Sequence, residues 1–396
     1  MASMAQPIRK QIAKIHPELA EKTIYTLLVD GTFILKVCEA ASMKNSRGEE
    51  YGALFTFLIK LKTLLKKKDF DYVYVFFDDE NSGILRYELY KEYKANRDKN
   101  YSMYLLGQSD YARRYNETMR NMRNAIVKKQ KKREITDEEE QKKIDFARQR
   151  DLLMKYFEEL FIRCMFDSET EGDDMIAYYV MNKKPNEKIV IATGDMDLSQ
   201  LLASDVCIWN PKKNSFLTYD SFKTEFGYPS ENVLIKKIFC GDASDNIGNI
   251  EGVSDIRLME IMPEMKERPV TVDEIKERTR HLIEERISKK KKPLKYQENI
   301  LEGKSKKLYD GDFYEINEKI INLRKPLLTD KAKEMIDEAR YNAIDPEGRS
   351  LANMAAYMRE DDITELLDDR KFASFFIEFN ALANREKKRF ETLQQH

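Results

Sequence analysis

Three short apolar runs each break off at an aspartate. TIYTLLV at 23–29 precedes Asp30-Gly31, YVYVFF at 72–77 precedes Asp78-Asp79, and KIVIA at 188–192 precedes Thr193-Gly194-Asp195. A solid run of β-branched and aromatic residues, without alternation, reads as a strand buried on both faces. Such strands belong to parallel sheets covered by helices on either side. Helical spacing lies between the runs, at Leu54 to Leu65, Leu152 to Met165 and Asp173 to Met181, and a fourth short run follows at Val206 to Trp209. The expectation is an α/β fold with a mainly parallel central sheet flanked by helices. In sheets of this kind the working groups sit beyond the carboxyl ends of the strands, where Asp30, Asp78 and Asp195 fall.

The residue inventory narrows the chemistry. The chain has three histidines, His16, His281 and His396, and four widely spaced cysteines with no CxxC pair. A histidine relay, a zinc site and a disulfide framework are thereby disfavoured, and a reducing, cytoplasmic setting is expected. No apolar run reaches the length of a membrane span, and no signal-peptide core opens the chain. Any metal must be held by oxygen. The net charge of −1 conceals segregated signs. Acids gather in short motifs, whereas bases gather in runs such as Lys128 to Arg133 and Lys289 to Lys292. From Arg286 to Lys307 nine Lys or Arg face two Glu. Such runs read equally well as solvated helix faces or as strand-holding surfaces.

Four acidic clusters carry the argument. They are the strand-end pair Asp30 and Asp78; Glu171, Asp173 and Asp174 at a helix start; Asp195 and Asp197 in GDMDLSQLL; and Asp242 and Asp245 in GDASDNIGNIEG. Each alone reads as a cap or a turn residue. Taken together, a parallel sheet delivers them to one rim, where so many carboxylates could not all stay ionised unaided. Divalent cations remove that conflict, and an oxygen-only donor set favours Mg²⁺ or Mn²⁺. Two such ions can activate water and stabilise the leaving oxygen of a phosphodiester. An acidic pocket repels nucleic acid, so bases must bring the strand in. RYELYKEYKANR at 86–97 interleaves Arg86, Lys91, Lys94 and Arg97 with tyrosines, a pattern suited to phosphate contact and base stacking.

These motifs closely resemble those of the flap-endonuclease family, especially its bacteriophage and bacterial 5′→3′ exonuclease branch (phage ribonuclease H-like or phage 5′ exonuclease-like). The matching pieces stand in family order: VDG at 29–31, FFD at 76–78, Arg86 with YKANRD at 93–98, EGDD at 171–174, TGDMD at 193–197 and GDASDNIGNIEGV at 241–253. The resemblance implies a PIN-like nuclease core over 23–227 after a polar leader over 1–22. It also implies a helical arch at 98–150, a helix–hairpin–helix duplex-binding region with a basic segment at 228–310, and a helical C-terminal region at 311–396. It implies Asp30, Asp78, Glu171, Asp173 and Asp174 around a first metal and Asp195, Asp197, Asp242 and Asp245 around a second. Lys94 and Arg97 would reach the scissile phosphate, Tyr93 would stack on a base, and Arg86, Lys128, Lys129, Lys131, Lys132, Arg133 and Arg257 would hold nucleic acid. The implied activity is two-metal hydrolysis at 5′ flaps and 5′ ends of branched or nicked DNA and of RNA–DNA hybrids, including primer removal in replication. The protein would be a monomer that meets replication proteins through its C-terminal region, with K⁺ at the hairpin. The alternatives are a non-catalytic branched-DNA binder and a PIN-like ribonuclease. One departure stands out. Ser254 occupies a place where the family has a second glycine, so a left-handed backbone there would be strained.

Overall fold

In the computed structural model, the described residues are 23–79, 82–95, 137–365, 367 and 369–395. The expected leader, and the arch residues 98–136, lie outside them. The elements in chain order are β1 (Ile24–Asp30), α1 (Gly31–Cys38), α2 (Gly52–Lys67), β2 (Tyr72–Asp78), α3 (Ile84–Leu89), α4 (Asp137–Glu159), β3 (Arg163–Asp167), α5 (Gly172–Met181), β4 (Glu187–Ala192), β5 (Val206–Asn210) and β6 (Ser215–Leu217). Helices follow: α6 (Tyr219–Phe226), α7 (Asn232–Cys240), α8 (Asp255–Ile261), α9 (Val272–Ser288), α10 (Lys295–Glu302), α11 (Phe313–Ile321), α12 (Asp330–Tyr341), α13 (Leu351–Glu360), α14 (Asp369–Phe375) and α15 (Ile377–Gln394).

The strand order is β3-β2-β1-β4-β5-β6, with every pairing parallel except that of the edge strand β6. Alternate residues of each central strand feed opposite cores. Leu27, Val29, Val73, Val75 and Phe77 join one cluster with α1, α2 and α4, while Leu28, Tyr74, Phe76, Ile189 and Ile191 join another with α5. Two-sided burial is why these strands lack polar alternation in sequence. Gly31 turns the chain from β1 into α1 at close quarters, because a Cβ there would sit 2.7 Å from the Phe77 ring and 2.8 Å from the Phe76 carbonyl. The chain leaves β1 for β2 on one side and returns to β4 on the other. The switch point of the sheet, where such folds bind ligands, therefore lies between the carboxyl ends of β1 and β4.

One expectation is corrected, and one strand comes without forewarning. The spacing at 152–165 predicts one helix, but the helix ends at Glu159. Phe161, with a left-handed φ of 57°, redirects the chain into β3. The edge strand β6, of three residues, carries no pattern to read.

A third cluster gathers α7, α8 and α11 with Tyr90 and Tyr93 from the segment after α3. The C-terminal helices pack back on the sheet: Met354, Met358, Phe375, Phe376, Phe379 and Leu382 complete the cluster around β1 and α2. Arg163 of β3 pairs with the fully buried Glu386 of α15 at 2.8 Å. No helix among the described residues is long and apolar enough to cross a membrane.

Candidate metal centre

Asp30 closes β1 and caps α1, its Oδ1 accepting the Phe33 N–H at 2.9 Å. Thr193, just past β4, donates to its Oδ2 at 2.8 Å, a bond that spans the switch point. Asp78 closes β2. Its backbone N–H is held by Thr32 at 2.8 Å, and its Oδ1 accepts the Gly172 N–H at 2.6 Å. A Cβ at position 172 would stand 3.1 Å from that same oxygen, so the missing side chain permits the approach. The first two strands and the start of α5 are thus fastened to one rim.

Two other pieces reach this rim. The loop after β4 carries Asp195, whose Oδ1 accepts the Asp197 N–H at 2.8 Å. The turn after α7 carries Asp242 and Asp245. Oxygens of Asp197, Asp242 and Asp245 lie within 4.8 Å of one another, a spacing that one cation could bridge. Burial together with mutual repulsion marks the crowding. Burial and the neighbouring Asp78 push Asp30 up to about 7. Burial and Asp195 push Asp197 up to about 6. Burial, with Asp195, Asp30 and Asp78 nearby, raises Asp173 well above the carboxylate range.

Two lysines answer this charge. Lys94 Nζ contacts Glu171 and its backbone N–H donates to the Asp245 carbonyl at 2.8 Å, so one residue ties the segment after α3 to both acidic groups. Its left-handed φ of 52° is unusual for a side chain of that size and is held by these contacts. Against the cost of burial, Lys94 and Arg86 hold Glu171 down to about 2. The second lysine, Lys237, was missed by sequence reasoning. It sits in the last turn of α7 and contacts both Asp197 and Asp242. Against burial, Lys237 and Ser244 hold Asp242 down to about 2.

Some expected roles change. Arg86, expected on nucleic acid, is buried: its Nε donates to the Ile320 carbonyl at 2.7 Å, and its guanidinium pairs with Glu171 and Asp174. It is an internal counter-ion. Asp174, expected at the first metal, is fully buried, and Arg86 and the Leu327 N–H occupy its two oxygens. It anchors Arg86. Tyr93, expected to stack on a base, is 3% exposed. Its hydroxyl donates to Glu171 at 3.0 Å and lies 3.4 Å from Asp245, so it braces acids. Ser254 has an ordinary φ of −127° and caps α8; the left-handed residue is Gly252, at +83°, so no strain arises. Arg257 is half-buried on the hairpin. Arg97, Lys128, Lys129, Lys131, Lys132 and Arg133 lie outside the described residues.

Asp167 offers a control. It also ends a strand, yet it accepts the N–H groups of Glu169 and Thr170 and the Thr329 hydroxyl, a purely structural set. A strand-end aspartate alone does not make a site; proximity to the switch point does.

Residues 25–227 match the family described as "5'-3' exonuclease, N-terminal resolvase-like domain". The chain is 33% identical over 101 residues to a 5'-3' exonuclease of Buchnera aphidicola subsp. Schizaphis graminum, covering 25% of this chain and 34% of that protein. It is 22% identical over 228 residues to the 5'-3' exonuclease of Buchnera aphidicola subsp. Acyrthosiphon pisum, covering 57% and 65%. It is 25% identical over 246 residues to the thermostable DNA polymerase I of Thermus caldophilus, covering 60% and 24%. The chain thus spans less than two thirds of the length of these curated relatives. The fold is similar to that of T5 5'-exonuclease with bound divalent zinc ions, with a TM-score of 0.51 at 16% identity, over 86% of this chain and 98% of that one.

Proposed function

Because this chain belongs to the 5′-3′ exonuclease family with an N-terminal resolvase-like domain, we propose that it is a divalent-metal-dependent 5′ nuclease. It hydrolyses phosphodiesters at 5′ flaps and 5′ ends of branched or nicked DNA and of RNA–DNA hybrids, including primers during replication. The observation that carries this reading is the convergence of carboxylates from β1, β2, α5, the loop after β4 and the turn after α7 on the switch point, with Lys94 and Lys237 among them.

The donor set fits hard divalent ions. It is all oxygen, burial and neighbouring carboxylates push Asp30 and Asp197 up, and three of its carboxylates lie close enough to share one ion. Asp30, Asp78, Glu171 and Asp173 would hold one Mg²⁺ or Mn²⁺, and Asp195, Asp197, Asp242 and Asp245 a second. When bound, such ions supply a water activated near neutral pH and charge to stabilise the leaving oxygen. The chain's own residues do the rest. Thr32 and Thr193 fix the orientations of the Asp78 and Asp30 segments. Tyr93 and Arg86 hold Glu171 in place. Lys94, tethered through its backbone to Asp245, carries its ammonium at the rim, where a phosphate gains charge in the transition state. The turn after α7 and α8 grips the duplex, and Arg97 with the basic run at 128–133 guides the 5′ single strand. The protein acts as a monomer in the cytoplasm, and replication proteins would dock on the C-terminal helices, which leave Ile377 and Leu393 exposed.

The test is cleavage of a 5′-flap duplex in Mg²⁺, with an excess of chelator as control. Metal-dependent release of the flap is expected. Tight flap binding without cleavage in either Mg²⁺ or Mn²⁺ would replace this reading with a non-catalytic branched-DNA binder. Cleavage of single-stranded RNA without preference for a junction would replace it with a simpler ribonuclease.

A further inference from the structure

The helix–hairpin–helix resemblance implies a K⁺ ion in the turn between α7 and α8. A K⁺ site is built from carbonyl oxygens that replace the ion's hydration shell, so the fit depends on how far the oxygens of residues 250–253 are already engaged. All four accept N–H groups. The Ile250 carbonyl accepts the Val253 N–H at 3.0 Å and the Asn249 side-chain amide at 3.1 Å. The Glu251 carbonyl accepts the Asn299 amide at 2.9 Å. The Gly252 carbonyl is capped by the Arg257 guanidinium. The Val253 carbonyl accepts the Asn249 amide at 3.3 Å. Asn249 thus drives two N–H bonds into the cluster of oxygens that an ion would need. Arg257 is held a second time, its guanidinium 4.6 Å from the centre of the Tyr296 ring. Gly252 permits this, since its left-handed φ of +83° turns its carbonyl towards Arg257.

We infer that this hairpin carries its own cation and takes no K⁺. Arg257, fixed by the Gly252 carbonyl and Tyr296, supplies the positive charge for a duplex phosphate. Asn249 satisfies the carbonyls that would otherwise coordinate an ion. A guanidinium has five N–H donors, and the capping of Gly252 leaves others for phosphate. Ser254 agrees with this arrangement: it caps α8 through its own side chain and lets Arg257 follow within the first turn. The inference rests on the duplex-gripping role proposed above.

The test is fluorescence anisotropy of the full chain with a nicked duplex in Ca²⁺, in either KCl or N-methyl-D-glucamine chloride at equal ionic strength. Equal ionic strength matters because duplex affinity falls steeply with salt. The wild-type Kd should agree within about twofold between the two salts, and Arg257→Gln should weaken binding about tenfold in both, as loss of a charge-assisted phosphate contact predicts. Asn249→Asp is nearly isosteric but turns the two donors into an acceptor. It should create a K⁺ preference of about fivefold or more, since the freed carbonyls and the carboxylate then form an oxygen site. Wild-type binding several-fold tighter in K⁺ would overturn the inference alone, as would an Arg257→Gln protein that binds normally in both salts. The Arg257 variant keeps the Asn249 donors on the Ile250 and Val253 carbonyls and uncaps only the Gly252 carbonyl, so the test does not depend on how Asn249→Asp folds. Absence of duplex binding in every salt would overturn both the inference and the nuclease reading on which it rests.

Discussion

Replacing Arg86 by Met removes the guanidinium and keeps most of the side-chain volume, which makes it a sharp test of the role found for this residue. Arg86 is 5% exposed and donates to the Ile320 carbonyl, Glu171 and Asp174. The consequences for the two acids differ. Glu171 keeps Lys94 and Tyr93 as partners. Asp174, with 0% exposure, keeps the Leu327 N–H as the one hydrogen-bond partner of its carboxylate among the described residues. The cost is therefore chiefly that of one uncompensated buried carboxylate, about 3–5 kcal/mol. Urea unfolding of the wild type, Arg86→Met, Asp174→Asn and the double variant forms the cycle that isolates the pair. The double variant should be less destabilised than the sum of the singles by about 1–3 kcal/mol, because Asp174→Asn removes the charge that Arg86→Met strands. Flap affinity, corrected for the fraction folded, should stay near wild type. If Arg86→Met unfolds at wild-type urea concentrations but binds flap DNA several-fold more weakly, Arg86 contacts the strand, and the internal counter-ion role is refuted.

Lys94→Ala should lower the single-turnover rate at saturating enzyme by about 10²–10³, the loss expected for one preorganised charge on the transition state; a rate near wild type would leave it only a binding role. Asp242→Asn with Asp245→Asn should abolish most cleavage and weaken divalent-ion binding in calorimetry, while gel-shift affinity for a flap duplex persists in Ca²⁺. The acid cluster also sets a pH dependence in chelator. Burial and like-charged neighbours raise the folded-state values of Asp30 to about 7 and Asp197 to about 6, so their protons are bound more tightly folded than unfolded. The stability this provides is present below about pH 4 and is lost as pH climbs to about 7. Glu171 and Asp242, held near 2, add stability as pH rises through their unfolded values near 4 to 4.5, so they oppose the fall only at its acid end and are ionised in both states above about pH 6. The urea midpoint in EDTA should therefore fall between pH 5 and 7.5, and saturating Mg²⁺ should remove the fall; an unchanged midpoint would show that the acids are not crowded.

What the sequence disclosed, and what it hid, follows from how far each signal reaches along the chain. The central strands were legible because burial on both faces leaves an unbroken apolar run, and their terminal aspartates followed from the geometry of parallel sheets. Strand β3 was hidden because its five residues continue the apolar spacing of α4, and only the backbone reversal at Phe161 separates them. The internal role of Arg86 was hidden for a different reason. Arg and Tyr interleaved in sequence describe a strand-binding surface equally well as a buried ion pair, and the deciding partner, Asp174, stands 88 residues away. Lys237 had one available signal, its place a turn before GD in a helix that ends at Cys240. Yet a lysine in a helix ordinarily reads as a solvated charge, and only the fold brings it to Asp197, 40 residues distant. At the hairpin, composition could not decide whether residue 252 or 254 would take the left-handed conformation.

The return of the last helices to the first strand bears on how the protein is made. Leu61 and Phe57 on α2 share a core with Phe376, Phe379 and Leu382, so residues translated early await partners translated more than 300 positions later. At about 5–20 residues per second this interval is tens of seconds. Throughout it, the apolar surface of α2 that meets these helices is uncovered, although α1 and α4 already pack on that side of the sheet. Ribosome-tethered intermediates that stop short of residue 375 should therefore be clients for chaperones, whereas emergence of α14 and α15 covers this surface in a late step. The sites of greatest genetic fragility would then include Phe376 and Phe379, far in sequence and in space from any carboxylate.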